Sequence, residues 1–80
     1  MKKELIMPVL GVEAKAMSLV SWEIAPGNSF VAGDVLYEVE SDKVVSQVEA
    51  EDAGIMSTHL VSEGDKVEPG TVVAEYESVE

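Results

Sequence analysis

The chain has 80 residues, enough for one small domain whose thin core leaves little room for a deep catalytic cleft. Five Lys and no Arg stand against sixteen Asp and Glu, and the formal net charge of −11 repels nucleic-acid phosphates and anionic membrane surfaces. Cys is absent and His occurs once, which excludes disulfide staples, thiolate nucleophiles and Cys- or His-rich metal sites.

The hydrophobic content of 46% separates the chain from disordered acidic tails. Near the N-terminus, Pro8 and Gly11 interrupt the apolar stretch Leu5–Val12, so it lacks the length of a signal peptide or membrane span. The expectation is a cytoplasmic protein. Glu13–Met17 has room for one helical turn, too short to stand alone. From there the pattern has period two. Val20, Trp22 and Ile24 share a face and alternate with Ser21 and Glu23. Gly27-Asn28 signals a turn that tolerates positive φ, and Gly33 signals another six residues later. Val35, Tyr37 and Val39 alternate with Glu38 and Glu40, while Leu36 breaks the alternation and marks a bulge. Ser41-Asp42-Lys43 reads as a turn. Val44 and Val48 then share a face with Ser46 and Ala50, and Ile55 and Val61 share one with His59. Gly64-Asp65 and Gly70 repeat the turn signals before Val72, Ala74 and Tyr76 alternate with Val73, Glu75 and Glu77.

Sliding the chain by 37 positions aligns it with itself. Gly27 meets Gly64, Gly33 meets Gly70, Val35 meets Val72, Glu38 meets Glu75, Glu40 meets Glu77 and Ser41 meets Ser78. The repeats run over 7–43 and 44–80 of a single 1–80 domain. Short strands and frequent turns predict an all-β fold, a flattened barrel or sandwich of two small antiparallel sheets with pseudo-two-fold symmetry. A two-fold perpendicular to the strands sets Lys43 and its counterpart Glu80 at opposite ends.

Lys43 is the candidate chemical group. It sits at the repeat seam in Glu40-Ser41-Asp42-Lys43-Val44, with strand patterns on both sides. An exposed amine on a rigid hairpin suits covalent modification by another enzyme. No other Lys lies within twenty positions of it. The remaining candidates read as structure. Trp22 packs on a sheet face, His59 takes a strand position with no Ser and Asp partners, and the Met residues fill gaps. The pairs Glu38/Glu40, Glu49/Glu51 and Glu75/Glu77 have strand spacing and form solvated faces; no calcium-loop pattern accompanies them.

Glu40-Ser41-Asp42-Lys43-Val44 resembles the attachment turn of lipoyl domains. The resemblance extends, without gaps, through Met7-Pro8-Val9-Leu10-Gly11, the spacing of Trp22 to Gly27, Val48-Glu49-Ala50, Gly54-Ile55, Glu63-Gly64-Asp65-Lys66-Val67 and Pro69-Gly70-Thr71. It implies a barrel-sandwich hybrid in which lipoate forms an amide with Lys43, and the attachment turn comprises Glu40, Ser41, Asp42 and Val44. It implies a non-catalytic swinging arm that carries acyl groups between active sites of a 2-oxo acid dehydrogenase complex, the chemistry residing in the dithiolane. The implied partners are a lipoate ligase or lipoyl transferase, the 2-oxo acid dehydrogenase component, the acyltransferase and dihydrolipoyl dehydrogenase. Met17 stands where the family usually has Gly, so the loop from Gly11 to Met17, which helps the family's partner dehydrogenases recognise the domain, departs from the pattern.

Other readings share the fold. A stand-alone lipoate-bearing carrier fits the same residues. Biotin carriers place their Lys between two Met, whereas Lys43 lies between Asp42 and Val44, and Lys15 in Ala14-Lys15-Ala16-Met17 precedes the strongly patterned strands. Glycine-cleavage carriers are longer. Unmodified structural modules run into coiled-coil flanks, which this sequence lacks.

Overall fold

The computed structural model describes residues 1–8, 16–41 and 44–78. Eight strands follow in order: β1 (Lys2–Ile6), β2 (Met17–Trp22), β3 (Ser29–Phe30), β4 (Val35–Ser41), β5 (Val44–Glu49), β6 (Gly54–His59), β7 (Lys66–Val67) and β8 (Val72–Ser78). They form two four-stranded sheets, β1-β8-β6-β3 and β5-β4-β2-β7, antiparallel throughout. This is the expected all-β architecture, and the second sheet order is the image of the first under an exchange of halves.

Hydrogen bonds trace that exchange atom by atom. Gly27 N–H donates to the Met56 carbonyl at 2.7 Å, and Gly64 N–H donates to that of Leu19 at 2.7 Å. Both bonds shift by 37 residues onto each other. Further upstream the offset changes. Ala50 N–H donates to Asp34 as Met7 N–H donates to Thr71, so Met7 answers to Ala50 at an offset of 43. The first half spends twelve positions between Met7 and Leu19 where the second spends six between Ala50 and Met56. At this offset β1 is the counterpart of β5. An ungapped comparison could not find this partner, because the extra residues fall between the two matched blocks.

Each half turns twice on a glycine. Asn28 N–H donates to Ala25 at 3.0 Å across Pro26-Gly27, and Gly27 has φ +92°. Pro then Gly at the two central positions is the type II signature, open to few other residues. The equivalent turn at Ser62–Asp65 is reinforced by its own side chain, since Asp65 Oδ2 accepts from Ser62 N–H at 2.8 Å.

The core fills from both halves with paired but unequal residues. Leu19 answers to Met56, Phe30 to Val67, Leu36 to Val73 and Tyr37 to Ala74, all buried. Leu36 lies at a break in the β4–β5 register between Val35 and Tyr37, the bulge expected from its pattern. Bulges also correct the strand faces on either side. The β2–β4 register shifts between Leu19 and Ser21, which buries Leu19 and turns Val20 outward, 41% exposed. Trp22 and Ile24 pack on the core, so Val20 does not share their face. Likewise a shift between Met56 and Thr58 buries Met56 and leaves Ile55 exposed. A period-two reading cannot place such shifts, because an inserted residue reverses every later side chain.

Met17 opens β2 and is buried. Its counterpart is Gly54, where an added Cβ would come 2.6 Å from the Glu77 carbonyl oxygen and 2.7 Å from the Tyr76 ring. At the offset of 37 the counterpart of Tyr76 is the smaller Val39.

Candidate attachment site

β4 and β5 form a hairpin paired from Val35↔Glu49 to Ser41↔Val44. The chain places Asp42 and Lys43 between the last paired residues; both lie outside the described residues, as do Gly11 to Lys15 of the preceding loop. Of the other residues of the candidate turn, Ser41 is half-buried, Glu40 is exposed and Val44 is 60% exposed. Glu40 lies opposite Ser18 on one side and Val45 on the other, so β2, β4 and β5 are side by side at this end of the sheet.

The pseudo-symmetric counterpart of this hairpin end is where the chain begins and ends. Ser78 N–H donates to the Met1 carbonyl at 3.0 Å, and Ser78 and Met1 are the equivalents of Ser41 and Val44. The sheets approach each other at their other ends, where Trp22 stacks on His59. From that contact one sheet runs to Ser41 and Val44 and the other to Ser78 and Met1, along a molecule 36 Å long.

Charge divides the two ends. Lys2 Nζ lies 3.6 Å from Glu75, and the Met1 ammonium lies 3.4 Å from Glu77. The counterparts of these carboxylates, Glu38 and Glu40, face Gln47 and Val45 in β5. Gln47 Nε2 donates to Glu38 Oε2 at 3.0 Å. Among the described residues, the ion pairs of Glu75 and Glu77 have no equivalent at Glu38 and Glu40.

Two titratable groups sit near the opening between β1 and β5. Asp52 Oδ2 accepts from Tyr76 O–H at 2.9 Å and from Lys3 Nζ at 3.3 Å. These bonds, Tyr76 first, together with the Lys3 charge, hold the Asp52 carboxyl below the usual range. Burial pushes Tyr37 up to about 12, and its O–H lies 3.6 Å from Met7 Sδ. His59 has a structural place: its Nε2–H donates to the Ile24 carbonyl at 2.9 Å. Trp22 Nε1–H donates to Val61 at 3.0 Å. Among the described residues, no three His, Asp or Glu stand together as metal ligands. The Asp52–Tyr76–Lys3 cluster was not foreseen from the sequence, since its members lie on three separate segments without a shared motif.

A family model described as "Biotin-requiring enzyme", the biotin/lipoyl model, matches residues 3–76. The chain belongs to this biotin/lipoyl family. Within it, the chain is 39% identical over 70 residues to a pyruvate dehydrogenase complex protein X component of Chaetomium thermophilum, covering 86% of this chain and 16% of that protein. It is 37% identical over 75 residues to the dihydrolipoyllysine-residue acetyltransferase component of the Zymomonas mobilis pyruvate dehydrogenase complex, covering 92% and 17%. This chain therefore spans about a sixth of the length of these curated relatives. The fold matches the lipoyl domain of the Azotobacter vinelandii 2-oxoglutarate dehydrogenase complex with a TM-score of 0.72 and 25% identity, over 91% of this chain and 92% of that one. It also matches part of a multi-domain long-chain acyl-CoA carboxylase with a TM-score of 0.79 and 25% identity, over 99% of this chain and 7% of that one. The resemblance to lipoyl domains thus holds in both sequence and fold.

Proposed function

We propose that this is a lipoyl carrier domain, with lipoate in amide linkage to Lys43, serving a 2-oxo acid dehydrogenase-type complex in the cytoplasm. The observation that carries the reading is the hairpin. β4 and β5 are paired out to Ser41 and Val44, and the only residues between them are the Asp and Lys of the lipoyl-type turn. Amide formation removes the positive charge of Lys43 and makes the hairpin end more acidic. The bound dithiolane would supply the reversible thiol–disulfide and acyl-transfer chemistry that a Cys-free chain lacks.

The protein's own residues present the arm. The β4–β5 ladder is paired as far as Ser41 and Val44, and Val39 and Tyr37 of β4 are buried in the core beneath it. Trp22 and His59 clamp the two halves. Tethering then gives the arm a high effective concentration at the active sites it visits. The partners in this reading are a lipoate ligase or lipoyl transferase, a 2-oxo acid dehydrogenase, an acyltransferase and dihydrolipoyl dehydrogenase. The domain is a carrier without catalysis of its own, whether free or joined to an acyltransferase.

The competing reading is biotin on the same Lys, since the family model is described as "Biotin-requiring enzyme" and one similar solved structure is an acyl-CoA carboxylase. The flanks Asp42 and Val44, in place of two Met, favour lipoate. Exchanging Asp42 and Lys43 tests the geometry. Modification by a lipoate ligase should be abolished while the circular dichroism spectrum stays nearly unchanged; undiminished modification would contradict the hairpin's role.

A further inference from the structure

β1 and β5 are equivalent strands at equivalent sheet edges, yet their edges differ in chemistry. β1 begins Lys2-Lys3. Lys2 pairs with Glu75, and Lys3 points inward to Asp52 at 3.3 Å. Edge lysines and an inward charge are devices that deter another strand from joining a sheet. The matching positions in β5 are Val45 and Ser46, which carry no charge, and Val45 is 52% exposed. β5 is six residues long and has no Lys or Pro. Among the described residues no strand pairs its outer edge, which adjoins a groove between β5 and β1, about 540 Å³ in volume, walled by Leu5 and Val48, floored by Leu36 and Tyr37 and lined also by carboxylates, Glu49 and Asp52 among them. On the outer face Gln47 and Glu49 follow Val45, with Glu38 and Glu40 on the next strand.

We propose that β5 is a strand-addition site for an extended segment of another protein, in which apolar and basic residues alternate. Such a strand would satisfy the edge backbone groups of β5 that no described strand pairs. Its apolar side chains would enter the groove, and its basic ones would meet the carboxylates of the outer face. A second copy of this chain is the wrong occupant, because pairing two chains of charge −11 sets like charges against one another. The site lies beside the Lys43 hairpin, so an enzyme that works on that residue could use it, but the binding does not require lipoate.

The test is amide NMR of the whole 80-residue chain titrated with an acetylated, amidated octapeptide of alternating Lys and Val. Shift changes and slowed amide exchange are expected along Val44–Glu49. Giving β5 the charges of β1 by Val45→Lys with Ser46→Lys should weaken binding by about tenfold or more. Methylating alternate peptide nitrogens, which leaves the protein untouched, should weaken it similarly. Lys43→Gln should bind as the wild type does, which separates this proposal from lipoylation. Equal binding by a block peptide of four Lys and four Val, changes centred on β1, or no binding would overturn it.

Discussion

Trp22 lies flat on His59, with ring centroids 3.9 Å apart and planes 8° from parallel. The two residues are 37 positions apart, so the pseudo-symmetry pairs a residue with its own counterpart. The contact closes the seam between the halves. His59→Ala removes the stack and leaves the Ile24 carbonyl without its donor. The variant should lose about 1–3 kcal/mol in urea unfolding. Its Trp22 fluorescence should also change in the folded state, because the ring over the indole has gone.

Glycines at two kinds of site should respond differently to Ala. At Gly54 the added methyl meets backbone and an aromatic ring, so β6 and β8 must separate. Gly54→Ala should cost about 3 kcal/mol or more. At Gly27 a Cβ meets nothing within 4 Å, and only the positive φ opposes it. Gly27→Ala should cost about 1–2 kcal/mol. Thermal melts of both variants check the order.

Asp52 should contribute to acid sensitivity. Its hydrogen bonds to Tyr76 and Lys3 lower its folded pKa. The stabilisation is present above the unfolded value, about 3.9, and is lost as pH falls through the folded one. Asp52→Asn should flatten the acid limb of a stability-against-pH curve relative to the wild type, with the neutral-pH fold retained. An unchanged acid limb would contradict the assignment.

Tyr37 works in the opposite sense. With the folded pKa raised to about 12, the unfolded chain releases this proton first as pH rises. Stability is full below about pH 10 and should fall by up to about 1.4 kcal/mol per pH unit between there and the folded value. Tyr37→Phe should lose that alkaline slope. Urea midpoints measured across this range would show it.

The strand patterns, the glycine turns and the Leu36 bulge were legible because each depends on local chemistry. β1 was not, since Lys2-Lys3-Glu4 has no apolar alternation. It becomes a strand through pairing with β8, from Lys2↔Glu77 to Ile6↔Val72, where Glu75 and Glu77 hold its cations. Val20 was assigned to the wrong face because a bulge leaves no mark in a period-two count. The importance of Lys43 came from the seam and the motif around it. The contrast between the β1 and β5 edges needed the structure, since the offset of 43 is hidden by the longer first half.

The most direct measurement is intact mass followed by peptide mapping of the wild-type chain and Lys43→Gln, each produced with an active lipoate ligase and an active biotin ligase present. The wild type should carry one lipoyl group, located at Lys43, and the variant none. A biotinyl group on Lys43, or a lipoyl group that persists on Lys43→Gln at another lysine, would contradict lipoylation of Lys43.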